Sequence, residues 1–118
     1  MGKRIANQSG NIRSPKIPKI ITGKGKTLNR YPRESDIEKK VTNYAVSRGW
    51  LSYKWTSPGH RGVPDRLYFK DGIVKMVEFK APGKTPTIFQ EIIHQKLAHE
   101  NFRVDIIDDI EQGKILFD

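Results

Sequence analysis

Asp65, Glu78 and Lys80 are the residues of this chain whose types and spacing could do chemistry together. Asp71-Gly72 separates the runs Arg66–Lys70 and Ile73–Lys80, and Asp-Gly between two such runs predicts a two-residue hairpin loop. That loop sets the register. Lys70 then faces Ile73, Phe69 faces Val74, and counting outward brings Asp65 opposite Glu78 on one face of the sheet. Lys80, two residues beyond Glu78, shares that face by strand alternation. Two carboxylates about 5 Å apart at an effective dielectric near 20 repel by roughly 3 kcal/mol, an arrangement that calls for a cation between them.

Hard oxygen donors in a chain with no cysteine favour Mg²⁺ or Mn²⁺, which hold a phosphate oxygen and a water together while Lys80 positions or deprotonates the water. The chemistry implied is metal-assisted phosphodiester hydrolysis. A purely structural alternative stands beside it. Asp65 after Pro64 could begin a turn, Glu78 could pair with Lys75 or Lys80, and a bulge near Gly62–Pro64 would break the register. Glu38 is open between two roles: closing a Ser35–Glu38 capping box, or leaning from the border of a buried helix face into a cleft. Gln90 is open between a solvated helix position and the site. His60, His94 and His99 have no metal-ligand spacing; His94 is expected on a helix surface or partly in the core, and His60 with Arg61 suits phosphate.

The elements that must position these residues are legible in the hydrophobic pattern. Ile37, Val41, Tyr44 and Ala45 share one face of a helix over about 36–48 that stops at Gly49. Trp50–Trp55 alternates as a strand, and Ser57–Pro64 is turn chemistry throughout. The strand from Ile73 to Lys80 is apolar on both faces, which suits a central position. A helix from about Thr87 to Glu100, burying Ile88, Ile92 and Leu97, is followed by a strand over 103–107 and a short helix capped by Asp108. The order α-β-β-β-α-β is an α/β arrangement with helices on a mixed sheet.

Charge divides the chain in two. The 118 residues carry 22 Lys and Arg against 13 Asp and Glu, a net charge of +9. Residues 1–34 hold nine of the bases and one acid, Glu34, while the rest holds 13 bases and 12 acids. Residues 1–34 are therefore expected to be a flexible basic arm, too poor in apolar surface to offset ordering entropy. Its excess points to a polyanionic partner, nucleic acid first. Gly23–Thr27 looks like the end of a phosphate-binding loop, but Ile20 stands where that spacing needs glycine. The absence of cysteine excludes a disulfide framework, a thiolate zinc site and a cysteine nucleophile. With no long apolar run and no apolar leader, the chain is expected to be soluble, unexported and without a membrane partner.

Gly62-Val63-Pro64-Asp65, then Glu78-Phe79-Lys80, then Gln90 ten residues after the lysine, with Glu38 in the preceding helix, resembles the VRR-NUC (virus-type replication-repair nuclease) family of the PD-(D/E)XK superfamily. The match spans roughly residues 35–110, and the chain is compact like the stand-alone members of phages and bacteria. The resemblance implies a restriction-endonuclease-like αβββαβ core with a central mixed sheet, formed by a nuclease domain over 35–118. It implies that Asp65, Glu78 and the Phe79 carbonyl bind Mg²⁺ or Mn²⁺, and that Glu38 assists directly or through water. Lys80 would serve the water or the transition-state charge, and Gln90 would orient the site. His60, Arg61 and Lys84, with Lys24, Lys26, Arg30 and Arg33 of the arm, are the expected DNA contacts. Stand-alone members are similar to Holliday-junction resolvases, which implies a homodimer cutting branched DNA in the cytoplasm of a bacterial cell or phage-infected host, with no small-molecule cofactor. The basic arm has no counterpart in the family motif.

Overall fold

The hairpin expected around Asp71-Gly72 is present and organises the sheet. In the computed structural model, which describes residues 20–21, 27–28 and 32–118, Asp71 and Gly72 have φ of 50° and 78°. Two positive φ values in a row define the type I′ turn that matches strand twist. Strand β4 (Arg66–Lys70) pairs antiparallel with β5 (Ile73–Phe79), Lys70 opposite Ile73 and Arg66 opposite Val77, in the counted register.

Ahead of these strands, Ile20–Ile21 (β1) and Thr27–Leu28 (β2) pair antiparallel where composition predicts no regular structure. The rest of the arm as far as Tyr31, including Lys24, Lys26 and Arg30, lies outside the described residues. Helix α1 runs over Glu34–Ser47 and strand β3 over Leu51–Lys54. After β5 come α2 (Ile88–His99), β6 (Val104–Ile107) and α3 (Ile110–Ile115). The sheet order is β3-β4-β5-β6, with β6 parallel to β5 and the other pairs antiparallel. The expected αβββαβ order with a mixed sheet is thus observed, and β5 is central. No described helix is long and apolar enough to cross a membrane.

The core lies between α1 and one sheet face. Ile37, Val41 and Ala45 of α1 pack with Tyr68, Val77, Phe79, Ile107, Trp50 and Phe117. Two polar atoms are satisfied at its margin: Thr42 and the Tyr68 hydroxyl lie 2.7 Å apart, and the Trp50 indole N–H donates to the Phe117 carbonyl at 3.2 Å. Gly113 of α3 is squeezed into this core, since a Cβ there would stand 2.7 Å from Ile107 and 2.8 Å from Val41. Gly113→Ala is therefore expected to destabilise by about 1–3 kcal/mol, the usual cost of overpacking. Urea unfolding should show a lower midpoint with an unchanged slope.

Three local expectations need correction. The α1 cap is Arg33, whose backbone N–H donates to Asp36 at 3.0 Å, so no Ser35–Glu38 box forms and Glu38 is released from capping. The α3 cap is Asp109, accepting from the Gln112 N–H at 2.9 Å, while Asp108 accepts from Gly83 at 3.0 Å. In α2 the expected buried residues Ile88 and Ile92 are 67% and 45% exposed, and Leu97 is only half-buried; the buried residue is His94. Gln90 and His94, one turn apart, face the sheet, which turns residues two positions away about 200° round the helix and out to solvent.

Candidate active site

Alternation along β3, β4 and β5 assigns every side chain to one of two sheet faces. Val77 and Phe79 lie on the α1 face, in the core. Glu78 and Lys80 therefore lie on the opposite face, which α2 covers in part. Asp65 precedes β4 where the β4–β5 ladder stops, and the reason is visible: its carboxylate, not a backbone carbonyl, accepts the Phe79 N–H at 2.8 Å. The sheet opens at the point where the two acids meet.

Burial sets the electrostatics. Glu78 is 1% exposed, and desolvation first, Asp65's charge second, push its pKa up to about 8 against the pull of Lys80. One oxygen, Oε2, accepts from the Gln90 amide and lies 3.6 Å from the Lys80 ammonium; the other, Oε1, has no partner among the described residues. Asp65 is also held above the usual carboxylate range, by burial, with the Phe79 N–H bond opposing.

Gln90 has two tasks. Its Oε1 accepts the Thr87 N–H at 2.9 Å, while Thr87 accepts the Gln90 N–H at 3.2 Å, a reciprocal cap on α2. Its amide then anchors Glu78. The solvated alternative for Gln90 is excluded by this contact.

Of the two roles open to Glu38 the capping box is the one that falls away: the side chain leans into a groove beside Lys54 and Arg66, and its charge adds to burial in raising the Asp65 pKa. It pairs with Arg66 at 2.7 Å and Lys54 at 3.1 Å on the α1 side of the sheet, where two cations already partly neutralise it. The acid that sequence reading missed is Glu34. Its pKa is raised by desolvation first and by the charge of Asp65 second, and it acts in turn on Glu78. The Ser35 cap expected from sequence excludes it from α1; the bond from Arg33 to Asp36 brings it into the first turn. Of the two positions expected for His94, helix surface or partly in the core, the structure takes the core. It is 6% exposed, its Nε2 has no partner among the described residues, and burial and then Lys80's charge lower its pKa to about 4.

The expected DNA contacts are dispersed. His60 and Arg61 are exposed on the turn before Asp65, with the Arg61 guanidinium 4.4 Å from the centre of the Phe89 ring. Lys84 is exposed in the loop ahead of α2. Arg33 is tied to Asp36 at the start of α1.

These residues fit a hard divalent cation. Among the described residues no three His, Asp or Glu side chains come together as a ready-made cage. Mg²⁺ does not need one, since it is commonly bound through one or two carboxylates, waters and substrate phosphates. Asp65 and Glu78 supply the carboxylates, and the unpartnered Glu78 Oε1 is a buried acceptor that a cation would satisfy.

No family model matches the chain. A phage protein named "Putative nuclease p44", from Acyrthosiphon pisum secondary endosymbiont phage 1, is 40% identical over 88 residues, covering 74% of this chain and 95% of the relative. A solved VRR_NUC domain superposes with a TM-score of 0.65 at 24% identity, over 70% of this chain and 91% of that one. This chain belongs to the family of that phage protein. Its sheet and flanking helices share the PD-(D/E)XK-like fold of the solved VRR_NUC domain. In this chain the end of β5, the approach to β4 and the first turns of α1 and α2 meet, carrying Glu78 with Lys80, Asp65, Glu34 and Gln90.

Proposed function

We propose that this chain is a VRR-NUC enzyme, a Mg²⁺- or Mn²⁺-dependent DNA endonuclease that hydrolyses phosphodiester bonds in branched DNA. The observation that carries the reading is Glu78: a carboxyl buried to 1% exposure, facing Asp65 and Lys80, with one oxygen unpartnered among the described residues. Such a group costs stability unless a cation joins it. The name of the phage relative, a nuclease, supports the same reading.

In the mechanism, Asp65 and Glu78 would hold the metal, with the Phe79 carbonyl as a further donor. A bound divalent ion supplies Lewis-acid polarisation of the scissile phosphate and a more acidic water. Lys80 holds the attacking water or the charge that develops on the phosphate. Gln90 keeps the Glu78 carboxylate from turning away. His94, neutral at pH 7 because burial and Lys80 hold its pKa near 4, places no second cation against Lys80. Glu34, across from Asp65, binds water at the rim of the site. Residues 35–118 are the nuclease domain, extended to Glu34, and the basic arm adds sequence-independent affinity for phosphates.

Symmetrical incision of a four-way junction needs two sites of related geometry, which a homodimer in the bacterial or phage-infected cytoplasm would supply. Comparing a four-way junction, a flap, a splayed arm and linear duplex in Mg²⁺ and in EDTA tests the reading. Paired nicks in the junction only with metal are expected. Preferential cutting of the flap or of linear duplex would replace the junction by a flap-type or restriction-like activity. Binding to all four without cutting would make the chain a nucleic-acid-binding protein.

A further inference from the structure

On the same sheet face as the two acids, one strand further out, stands Trp55. The β3–β4 ladder ends with Lys54 opposite Arg66, and the Trp55 N–H donates to the Asp65 carbonyl at 2.9 Å, carrying the pairing one step further. Trp55, Asp65 and Glu78 thus form one row across the sheet, and directly opposed residues share a face at the spacing of neighbouring strands, about 4.8 Å.

Trp55 opens into a groove of about 340 Å³ between the 55–63 segment and α2. Its walls are Trp55, Val63, Ile93 and Leu97, with His60 and Lys96 at its mouth. The side chains of His60 and Lys96 make no hydrogen bond or ion pair among the described residues. Ser57 and Glu100 also line it, adding a hydroxyl and a carboxylate able to hydrogen-bond a base edge. Such a volume lies in the range of small-molecule sites, about 300–1,000 Å³.

The walls are preformed. Gly62 has φ of 95°, and a Cβ there would stand 2.4 Å from the Phe89 carbonyl oxygen, so the turn lies directly on α2. The Arg61–Phe89 stack and the His60 N–H bond to the Ser57 carbonyl at 3.0 Å hold it there.

We propose that this groove receives an unpaired nucleobase of the DNA strand next to the scissile phosphate. The proposal rests on the nuclease reading and names what that site selects. A groove with an indole wall fits a planar heterocycle, the Lys96 ammonium among its lining fits the phosphate attached to that base, and its row position fixes the base beside Asp65. A paired base cannot enter. Extrusion from a duplex costs a few kcal/mol, whereas a base at a branch, flap or single strand is already free. Discrimination between branched and linear DNA therefore arises within one protomer, from the base beside the cut.

The test uses the full chain in EDTA, where no strand is cut, and follows tryptophan emission. Trp50 is 7% exposed, so the responsive indole is Trp55. Single-stranded oligothymidylate is compared with an oligomer of the same length and phosphate count built entirely of abasic sugars, and with blunt duplex. The arm meets the phosphates of both single strands equally, so its contribution cancels. The expected result is quenching by oligothymidylate alone and binding roughly tenfold to a hundredfold tighter than the abasic strand, the range of one stacked base. Trp55→Ala should abolish the quench and bring the two single strands to equal affinity. Because the abasic comparison is made on the unaltered protein, it decides the matter even if the variant misfolds. Equal affinity of wild type for the two single strands, or equal quenching by blunt duplex, overturns the pocket. A protein that cuts junctions in Mg²⁺ yet fails here loses the pocket and keeps the nuclease; the reverse pattern keeps the pocket and loses the nuclease.

Discussion

Asp65→Asn cuts DNA at least about 10²–10³-fold more slowly than wild type under single-turnover conditions, while folding normally and binding DNA at least as tightly. The substitution separates two roles held by one side chain. An asparagine oxygen still accepts the Phe79 N–H, now bonded at 2.8 Å, so the end of the β4–β5 ladder is preserved. What disappears is the negative charge that a metal requires, and lost electrostatic stabilisation of a reacting phosphate is worth about 10²–10³-fold or more. Binding does not weaken because a charge repelling phosphate has gone. Lys80→Ala is the companion case and should lose about 10²–10⁴-fold, the contribution of one positioned proton-transfer group. Far-UV circular dichroism and a filter-binding curve in Ca²⁺ check fold and affinity. Wild-type rates in Asp65→Asn would remove this residue from the chemistry.

The second large effect is on stability. Without metal, the folded Glu78 carboxyl ionises at about 8 and the unfolded one near 4.5. Between those values the folded chain carries a proton that the unfolded chain has lost, so stability falls as pH rises. His94 runs the other way: its folded pKa of about 4 against 6.5 unfolded makes stability rise with pH across that span. The two offset each other below pH 6.5. Above it Glu78 acts without that offset, and the metal-free protein should lose on the order of 1 kcal/mol per pH unit up to pH 8. Glu78→Gln should remove that loss and melt higher than wild type at pH 8 in EDTA, while being inactive. Saturating Mn²⁺ should suppress the loss in wild type alone, because only the native state with its carboxylate binds the ion. Thermal melts at pH 6.5 and 8, with and without Mn²⁺, measure both effects; a wild type indifferent to pH and metal would contradict them.

The parts of this molecule that were readable from sequence are those governed by short-range rules. Asp71-Gly72 dictates its turn, the turn dictates the register, and the register brings Asp65 and Glu78 together without any knowledge of the remaining fold. What escaped was decided at longer range. Two overlapping cap patterns compete at the start of α1, and the Asp36 bond to Arg33 prevails over Ser35, which moves Glu34 into the helix and frees Glu38 for Arg66 and Lys54. In α2 the isoleucines predict the buried face, yet Gln90 and His94 occupy it because Glu78 and Lys80 lie opposite. Trp55 carries no motif at all; only the pairing of β3 with β4 reveals that it stands beside Asp65.

The hydrogen bond from Phe79 to Asp65 has a bearing on how descendants of this chain should be interpreted. A copy that had lost all catalysis would still need an acceptor at position 65 to satisfy that amide, so an aspartate there testifies to architecture as much as to activity. Glu78 has no comparable excuse: buried and half-unsatisfied, it weakens the fold that carries it, and drift would replace it by glutamine or an apolar residue once cutting ceased to matter. Position 78 is therefore the marker by which a working enzyme can be told from its relics.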